Sequence, residues 1–324
     1  MIKACHYYYR DQLTMSQIGE RLGVSRHRVG RLLRDAVDSG VVRIEIRSPY
    51  SSVSDRERML EQALGLKAAI VVDVDADLGP EVVKRQTCES GAAFLREVIK
   101  PHNTIGIGWG TTTFELVQAL EPLDLPHVTV LQITGGNKWL SVRFDCHEVT
   151  RRLAQKLGVE PVLLHAPGIV DRKETRDLLM NESSIRESFQ RFNEIDIAIV
   201  GIGALVPAVH STLISSGYVS KRDLDALMNS GAIGDVFSYF LDAQGELVRT
   251  ELYDRLITIG IDQIRRIPTS VGVATGANKA TAVVAAAKGG FVNTLVIDRE
   301  LADAILAEQS LHVLSKEEAT ANGS

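Results

Sequence analysis

Residues 13–33 read LTMSQIGERLGVSRHRVGRLL. Thr14 followed three residues later by Gln17 is a capping box: the hydroxyl takes the N–H of Gln17 while Gln17 reaches back, so a helix starts at Met15. Ile18 and Leu22 share one face of it, four residues apart. Gly23 stops the helix, Val24 fills the turn, and Ser25 caps a further helix whose buried stripe is Val29, Leu32, Leu33 and Ala36. A helix, a short Gly-containing turn and a second capped helix form a helix-turn-helix. In such a unit the first turn of the second helix enters the major groove, which here presents Ser25, Arg26, His27 and Arg28. Arginine reads guanine through paired bonds to O6 and N7. Thr14, Ser16, Gln17 and Arg31 are placed to hold phosphates, which set register and salt dependence. The alternative is a three-helix unit for protein contact with merely solvated arginines, and His27 is as well explained by simple exposure. A mid-helix glycine costs about 1 kcal/mol against alanine, so Gly30 suggests close approach to DNA or to another helix.

On the N-terminal side, residues 2–12 read as a first helix, with Tyr8, Tyr9 and Leu13 available for packing. On the other side Ser39-Gly40 ends the second capped helix. Val42–Arg47 then alternates apolar and charged residues, the period of a strand, which would form a small wing. Charge separates this head from the rest. Residues 1–47 carry nine Lys/Arg against five acids, +4, so the remainder carries −9 of the chain's net −5. A basic segment joined to an acidic body points to a polyanionic partner for the head alone.

The chain of 324 residues is long enough for about two domains. The expected division is a helix-turn-helix domain at 1–50, a helical connector or linker at 51–66, an effector-binding domain at 67–313 and a tail at 314–324. From Ala68 the texture changes. Apolar strands are expected at Ile70–Val74, Thr104–Trp109, Val128–Thr134, Val162–His165, Ile195–Gly201, Val271–Ala274 and Thr294–Asp298. Helices are expected between them at 81–99, 145–157, 174–191 and 279–288. This alternation argues a Rossmann-like α/β domain, a largely parallel sheet with helices on both faces. Asp242–Gly245 reads as a turn joining a hairpin inserted in that sheet.

Within the α/β part, Thr104–Thr113 (TIGIGWGTTT) is a strand, a glycine-containing turn and a helix start. Backbone N–H groups at a helix N-terminus favour an anion, and Gly110 permits its close approach. Trp109, Gly110, Thr111, Thr112 and Thr113 are therefore candidates for a phosphate site, although a run of spaced glycines is also ordinary turn geometry. Other strand ends offer Gly135 and Gly136, Gly201 and Gly203, Asp235 with Phe237, and Gly276 with Lys279. In open α/β sheets these carboxyl ends are where ligands bind. Asp235 could accept bonds from sugar hydroxyls and Lys279 could meet an anion. Alone, each is as readily a turn glycine or a solvated lysine, and Trp109 as readily core.

Several classes are excluded. No run approaches the ~20 apolar residues of a membrane span, and residues 1–10 lack the apolar core of a signal peptide; a cytoplasmic protein is expected. Cys5, Cys88 and Cys146 form neither a CxxC pair nor a disulfide framework. Cys146-His147-Glu148 is not expected to bind metal, because adjacent helical residues point apart, and no cofactor is expected.

Taken together, Leu13–Leu33, Gly106–Thr112 (GIGWGTT), Gly231–Asp242 (GAIGDVFSYFLD), Val271–Lys279 (VGVATGANK) and Gly289–Asp298 (GGFVNTLVID) resemble the SorC/DeoR-type family of sugar-sensing bacterial regulators. The resemblance covers residues 2 to 310. It implies a winged helix-turn-helix and an effector domain resembling sugar-phosphate isomerases and deaminases. It also implies operator DNA as a partner, effectors that are usually phosphorylated sugars, and tetramers built as pairs of dimers; a homo-oligomer, dimer or tetramer, is therefore expected. By matching motif, Trp109, Gly110, Thr111 and Thr112 would line the phosphate loop, Gly135 and Gly136 would lie beside it, and Asp235, Phe237 and Lys279 would complete the pocket. Departures limit the transfer. His27-Arg28 replaces the family's usual Pro-Thr pair, and Gly30 a serine. Thr134 stands where some members place a lysine able to form an imine; Lys138 is near in sequence. An active isomerase or deaminase carrying a DNA head would need a base and an acid across the substrate carbon, with Asp235 and Lys279 to be drafted. A nucleotide-binding scaffold is disfavoured by the lack of a P-loop or a spaced GxGxxG.

Overall fold

The Thr14–Gln17 box forms as the sequence predicts: Gln17 N donates to Thr14 Oγ1 at 3.3 Å and Thr14 N to Gln17 Oε1 at 2.9 Å. A computed structural model describes residues 1–39, 41–42, 51–136 and 145–309, and the chain divides into two units, Met1–Ser51 and Ser52–Ser324. In the first unit α1 (Ile2–Cys5) runs into a π-helical turn at His6–Arg10, followed by α2 (Met15–Leu22) and α3 (Arg26–Asp38). Gly23 ends α2 in the left-handed region, at φ 65°. Arg28 N donates to Ser25 Oγ, the cap of α3. Ala4, Cys5, Ile18, Val29, Leu33 and Ala36 form the core of this unit, with Leu22 and Leu13 packed against it. The expected stripe is thus present, except that Leu32 is only half-buried. The wing strand, from residue 43 onward, lies outside the described residues, as do Lys138 and the 314–324 tail.

The second unit opens with α4 (Ser51–Leu64), read from sequence as a connector. It packs as part of the larger unit: Leu60 is fully buried, and the carboxylates of Glu57 and Glu61 accept from the backbone N–H groups of Val71 and Ala69. Arg56 pairs with Asp303 at 2.5 Å, tying α4 to the helix over residues 299–309.

Seven parallel strands follow: β1 (Ala68–Val72), β2 (Thr104–Ile107), β3 (Thr129–Gln132), β4 (Pro161–Val162), β5 (Ile197–Gly201), β9 (Thr269–Ala274) and β10 (Thr294–Asp298). Their spatial order is β1-β10-β9-β5-β2-β3-β4. The chain builds outward from β2 to β4, then returns to lay β5 on the other side of β2. This reversal opens a crevice between the carboxyl ends of β2 and β5, the general ligand position in doubly wound sheets.

Alternate strand residues serve opposite faces. Ile105, Ile107, Val130, Ile197, Ile199, Val271 and Val273 meet α5 (Pro80–Val98), α6 (Thr111–Ala119) and α7 (Cys146–Lys156) in one core. Ala198, Val200, Leu131, Ile133, Leu295 and Ile297 join the other, beneath the alanine-rich α10 (Ala280–Lys288). The helix expected at 174–191 is two, α8 (Lys173–Asn181) and α9 (Ser183–Arg191), because Glu182 adopts an extended backbone between them. Among the described residues no helix is long and apolar enough to cross a membrane.

The hairpin is not inserted in the parallel sheet. β7 (Gly234–Val236) and β8 (Tyr239–Leu241) form a separate three-stranded antiparallel sheet with β6 (Gly203–Ala204). Asp242–Gly245 is a turn, closed by Gly245 N to Asp242 O, but it follows β8. The connection between β7 and β8 is Phe237-Ser238, both left-handed, at φ 54° and 67°. Two left-handed central residues match the twist of paired strands. The sequence signal was missed because Asn and Gly, the usual markers, are absent.

Candidate functional site

The crevice at the β2/β5 reversal is a cavity of about 570 Å³. The glycine-bounded ends of β2 and β5 form its floor, and the loops after β6, β7 and β9 its walls. β2 ends into Gly108, whose N–H donates to Ile199 O, keeping the two strands together as they part. Gly110 then turns at φ 134°, and α6 begins at Thr111. Thr113 Oγ1 donates to Gly110 O at 3.0 Å and fixes that turn, so Thr113 is fully buried behind the loop rather than lining the cavity. Trp109, Gly110, Thr111 and Thr112 do line it.

From β9, the turn Thr275–Lys279 arrives at the same cavity. It is pinned by Asp298, 1% exposed, whose Oδ2 accepts from Gly276 N at 2.7 Å while Oδ1 accepts from Leu301 N at 3.1 Å. Gly276 and Lys279 both line the cavity, and Lys279 Nζ donates to Ile202 O at 2.8 Å, just beyond β5. Burial pulls the Lys279 pKa down, opposed by the nearby Asp235 charge.

Asp235, on β7, faces this lysine across the cavity's charged wall. Desolvation pushes its carboxyl pKa up to about 6, against the lowering effects of a hydrogen bond from Ser211 and the charge of Lys279. Its Oδ1 is withdrawn from solvent with no hydrogen-bond partner, as is the hydroxyl of Thr134, which also lines the cavity. A buried polar atom left unpaired costs about 1–3 kcal/mol, so both atoms are groups of the lining able to pair with a bound molecule. Phe237 and Ser238 line the cavity through their left-handed turn, which is held by Thr258 Oγ1 donating to Phe237 O at 2.9 Å.

Gly135 and Gly136 are not brought to the cavity with the others. A Cβ on Gly135 would stand 2.5 Å from the carbonyl group of Pro167, and one on Gly136 would strike the His147 ring at 2.9 Å. Their small size serves a close backbone crossing; Thr134, immediately before them, is the residue that reaches the cavity.

The sequence reading missed Lys84, Glu81, His210, Ser211 and Thr212, all in the lining. For Lys84 a signal existed. It stands four, seven and eleven residues before Cys88, Gly91 and Leu95, the buried stripe of α5, so its side chain runs inward.

The expectation that neighbouring residues of α7 point apart holds for Glu148, which pairs with Arg152 at 2.6 Å, but not for the residues before it. Asp145 is the cap of α7, not a helical residue, and its carboxylate lies 3.1 Å from His147 Nδ1, with Cys146 Sγ 3.9 Å from that nitrogen. The three potential ligand atoms fall within 4.8 Å of one another. Burial raises the Cys146 thiol pKa, and the sulfur takes a hydrogen bond from Gln132 Nε2 at 3.0 Å.

In the first unit, Thr14, Ser16, Gln17, Ser25, Arg26, His27, Arg28 and Arg31 are all exposed. Arg26, His27 and Arg28 form the first turn of α3, while Val29, next to them, is fully buried and turns that helix's apolar side to the core.

Comparison with known proteins bears on both units. The family model "Putative sugar-binding domain" matches residues 48–307, and the model "Sigma-70, region 4" matches residues 5–39. The transcriptional regulator LsrR of Escherichia coli (strain K12) is 33% identical over 305 residues, covering 93% of this chain and 92% of the relative. The full-length sorbitol operon regulator SorC from Klebsiella pneumoniae superimposes with a TM-score of 0.74 at 28% identity, over 94% of this chain and 97% of that one. A DeoR family transcriptional regulator from Listeria monocytogenes gives a TM-score of 0.73 at 28% identity, over 78% and 99%. With a sugar-binding family model spanning most of its length and a relative one-third identical over nearly all of it, the chain belongs to the SorC/DeoR-type family of sugar-binding transcriptional regulators.

Proposed function

We propose that this chain is a ligand-gated regulator of a sugar or polyol catabolic operon. The Met1–Ser51 head grips operator DNA, and the cavity at the β2/β5 reversal takes a phosphorylated sugar whose binding changes operator affinity. The observation that carries this reading is the polarity of the cavity. One set of groups in the lining is the N-terminal N–H groups of α6, the hydroxyls of Thr111 and Thr112, and Lys279. A second set is the unpartnered Asp235 Oδ1 and Thr134 Oγ1. A phosphate suits the first set, since helix N-termini and point cations both favour an anion. Sugar hydroxyls suit the second, because each can donate to a carboxylate and accept from a threonine.

In the head, Arg26 and Arg28 reach base edges, while Thr14, Ser16, Gln17 and Arg31 hold phosphates. Two copies of the chain present two heads to two half-sites, the usual arrangement for such units. The ligand acts only through its preference for one state of the protein; a hundredfold change in operator affinity requires about 2.7 kcal/mol of coupling. The relatives named above are regulators, and the same role, rather than turnover, is inferred here.

The test is operator binding by the full-length protein at about 150 mM salt, with and without a panel of pentose and hexose phosphates. Sequence-selective binding that one of these sugars shifts is the expected result. Binding no better than to random DNA would defeat the reading.

A further inference from the structure

Lys84 is set apart from the other surface lysines by its position. Its side chain is 18% exposed, and it extends the inward stripe of α5 into the wall of the effector cavity, beside the start of α6. Cys88, one turn further along α5, donates its thiol to Thr112 O, so this part of α5 lies against the anion-facing turn itself. Lys84 and Lys279 share the cavity and are close enough for the Lys84 charge to lower the Lys279 pKa. Two like charges facing one cavity repel, and the arrangement is relieved when an anion enters.

Lys84 also has a partner. Glu81 Oε2 lies 2.8 Å from Lys84 Nζ, with the glutamate 81% exposed at the cavity mouth. Solvent reaches the exposed Glu81 and screens this pair, so it is weak. A doubly charged phosphate, held at the same time by Lys279 and the N–H groups of α6, is the stronger competitor.

Building on the proposed sugar-phosphate reading, we propose that Lys84 is a second cationic anchor for the ligand's phosphate and that Glu81 competes with the ligand for it. The site is thereby selective for a phosphomonoester dianion over a sugar carboxylate or a neutral sugar. A single charge repays the loss of the Glu81 pair and the approach of two lysines less well than a double one.

The experiment uses full-length protein and inorganic phosphate as the probe, titrated by calorimetry, with acetate as the singly charged comparison. Wild type is expected to bind phosphate in preference to acetate. Lys84→Met should weaken phosphate binding tenfold or more, and Lys84→Arg should retain most of it. Glu81→Gln should tighten it several-fold, and that gain should vanish when combined with Lys84→Met. A purely structural role for Lys84 would not produce this dependence of one substitution on the other. Because Glu81 is exposed, Glu81→Gln remains informative even if Lys84→Met destabilises the fold. Unchanged affinity in both Lys84→Met and Glu81→Gln overturns the assignment while leaving the sugar-phosphate reading intact. Wild-type protein that binds neither phosphate nor any sugar phosphate overturns both.

Discussion

Lys279 Nζ donates to the carbonyl oxygen of Ile202 at 2.8 Å, joining the start of α10 to the residue that follows β5. The ammonium is thereby oriented before any ligand arrives. Its other two N–H bonds are available for an anion, since an ammonium carries three donors.

Lys279→Ala is therefore expected to abolish the thermal stabilisation by sugar phosphates that wild type shows. Ligand at a hundred times its Kd raises stability by about 2.7 kcal/mol, and this increment should disappear. Operator binding without ligand should persist, because the head is a separate unit. Thermal melts with and without ligand, beside a DNA titration, check this. Loss of DNA binding as well would mark a folding defect.

Asp235 gives a dependence on pH. Its folded pKa is raised to about 6, above the ordinary 3.8. The folded state thus holds this proton more tightly than the unfolded chain. The group's unfavourable contribution is absent below about 3.8 and is fully present above about 6. Asp235→Asn should therefore stabilise the ligand-free protein near pH 7.5, by on the order of 3 kcal/mol. The advantage should fade as pH falls through 6 toward 4, and affinity for the sugar should drop. Melts from pH 4 to 8 decide it; a constant difference across the range would contradict the assigned cause.

Gly135→Ala should destabilise the larger unit by about 1–3 kcal/mol, the usual consequence of forcing atoms into a packed interior. The added carbon would stand 2.5 Å from backbone atoms of Pro167 and Gly168, which cannot rotate away. A denaturant melt of the full chain would show this as a fall in the transition of the larger unit.

Base and phosphate contacts separate by their response to salt. Arg26→Ala or Arg28→Ala should cost about 1–3 kcal/mol on the operator and little on random DNA. Arg31→Ala should weaken both and reduce the salt slope by about 1. Fluorescence anisotropy at several salt concentrations distinguishes the two patterns.

The helix-turn-helix was legible because capping is local: Thr14, Gln17, Gly23 and Ser25 fix their neighbours' backbone without help from the rest of the chain. The parallel sheet was legible because buried strands are continuous apolar runs. The site was read only where it coincides with strand-end turns, as at Trp109–Thr112 and Gly276–Lys279. Lys84 and Ser211 reach the cavity from a helix and a loop distant in sequence, and only the strand order brings them there. Gly135 and Gly136 carry the same residue type as Gly110, yet serve a backbone crossing that involves Pro167, more than thirty residues away. Phe237-Ser238 escaped notice because its turn is imposed by strand pairing and by Thr258, not by its own residue types.

The carboxylate of Asp298 has a consequence for the larger unit. One oxygen holds the turn that carries Gly276 toward Lys279; the other holds the start of the helix over 299–309, on which Asp303 clasps Arg56 of α4. The effector turn and α4 are thus fastened to one another inside the larger unit through two carboxylates. Loss of either carboxylate would loosen both ends of that fastening.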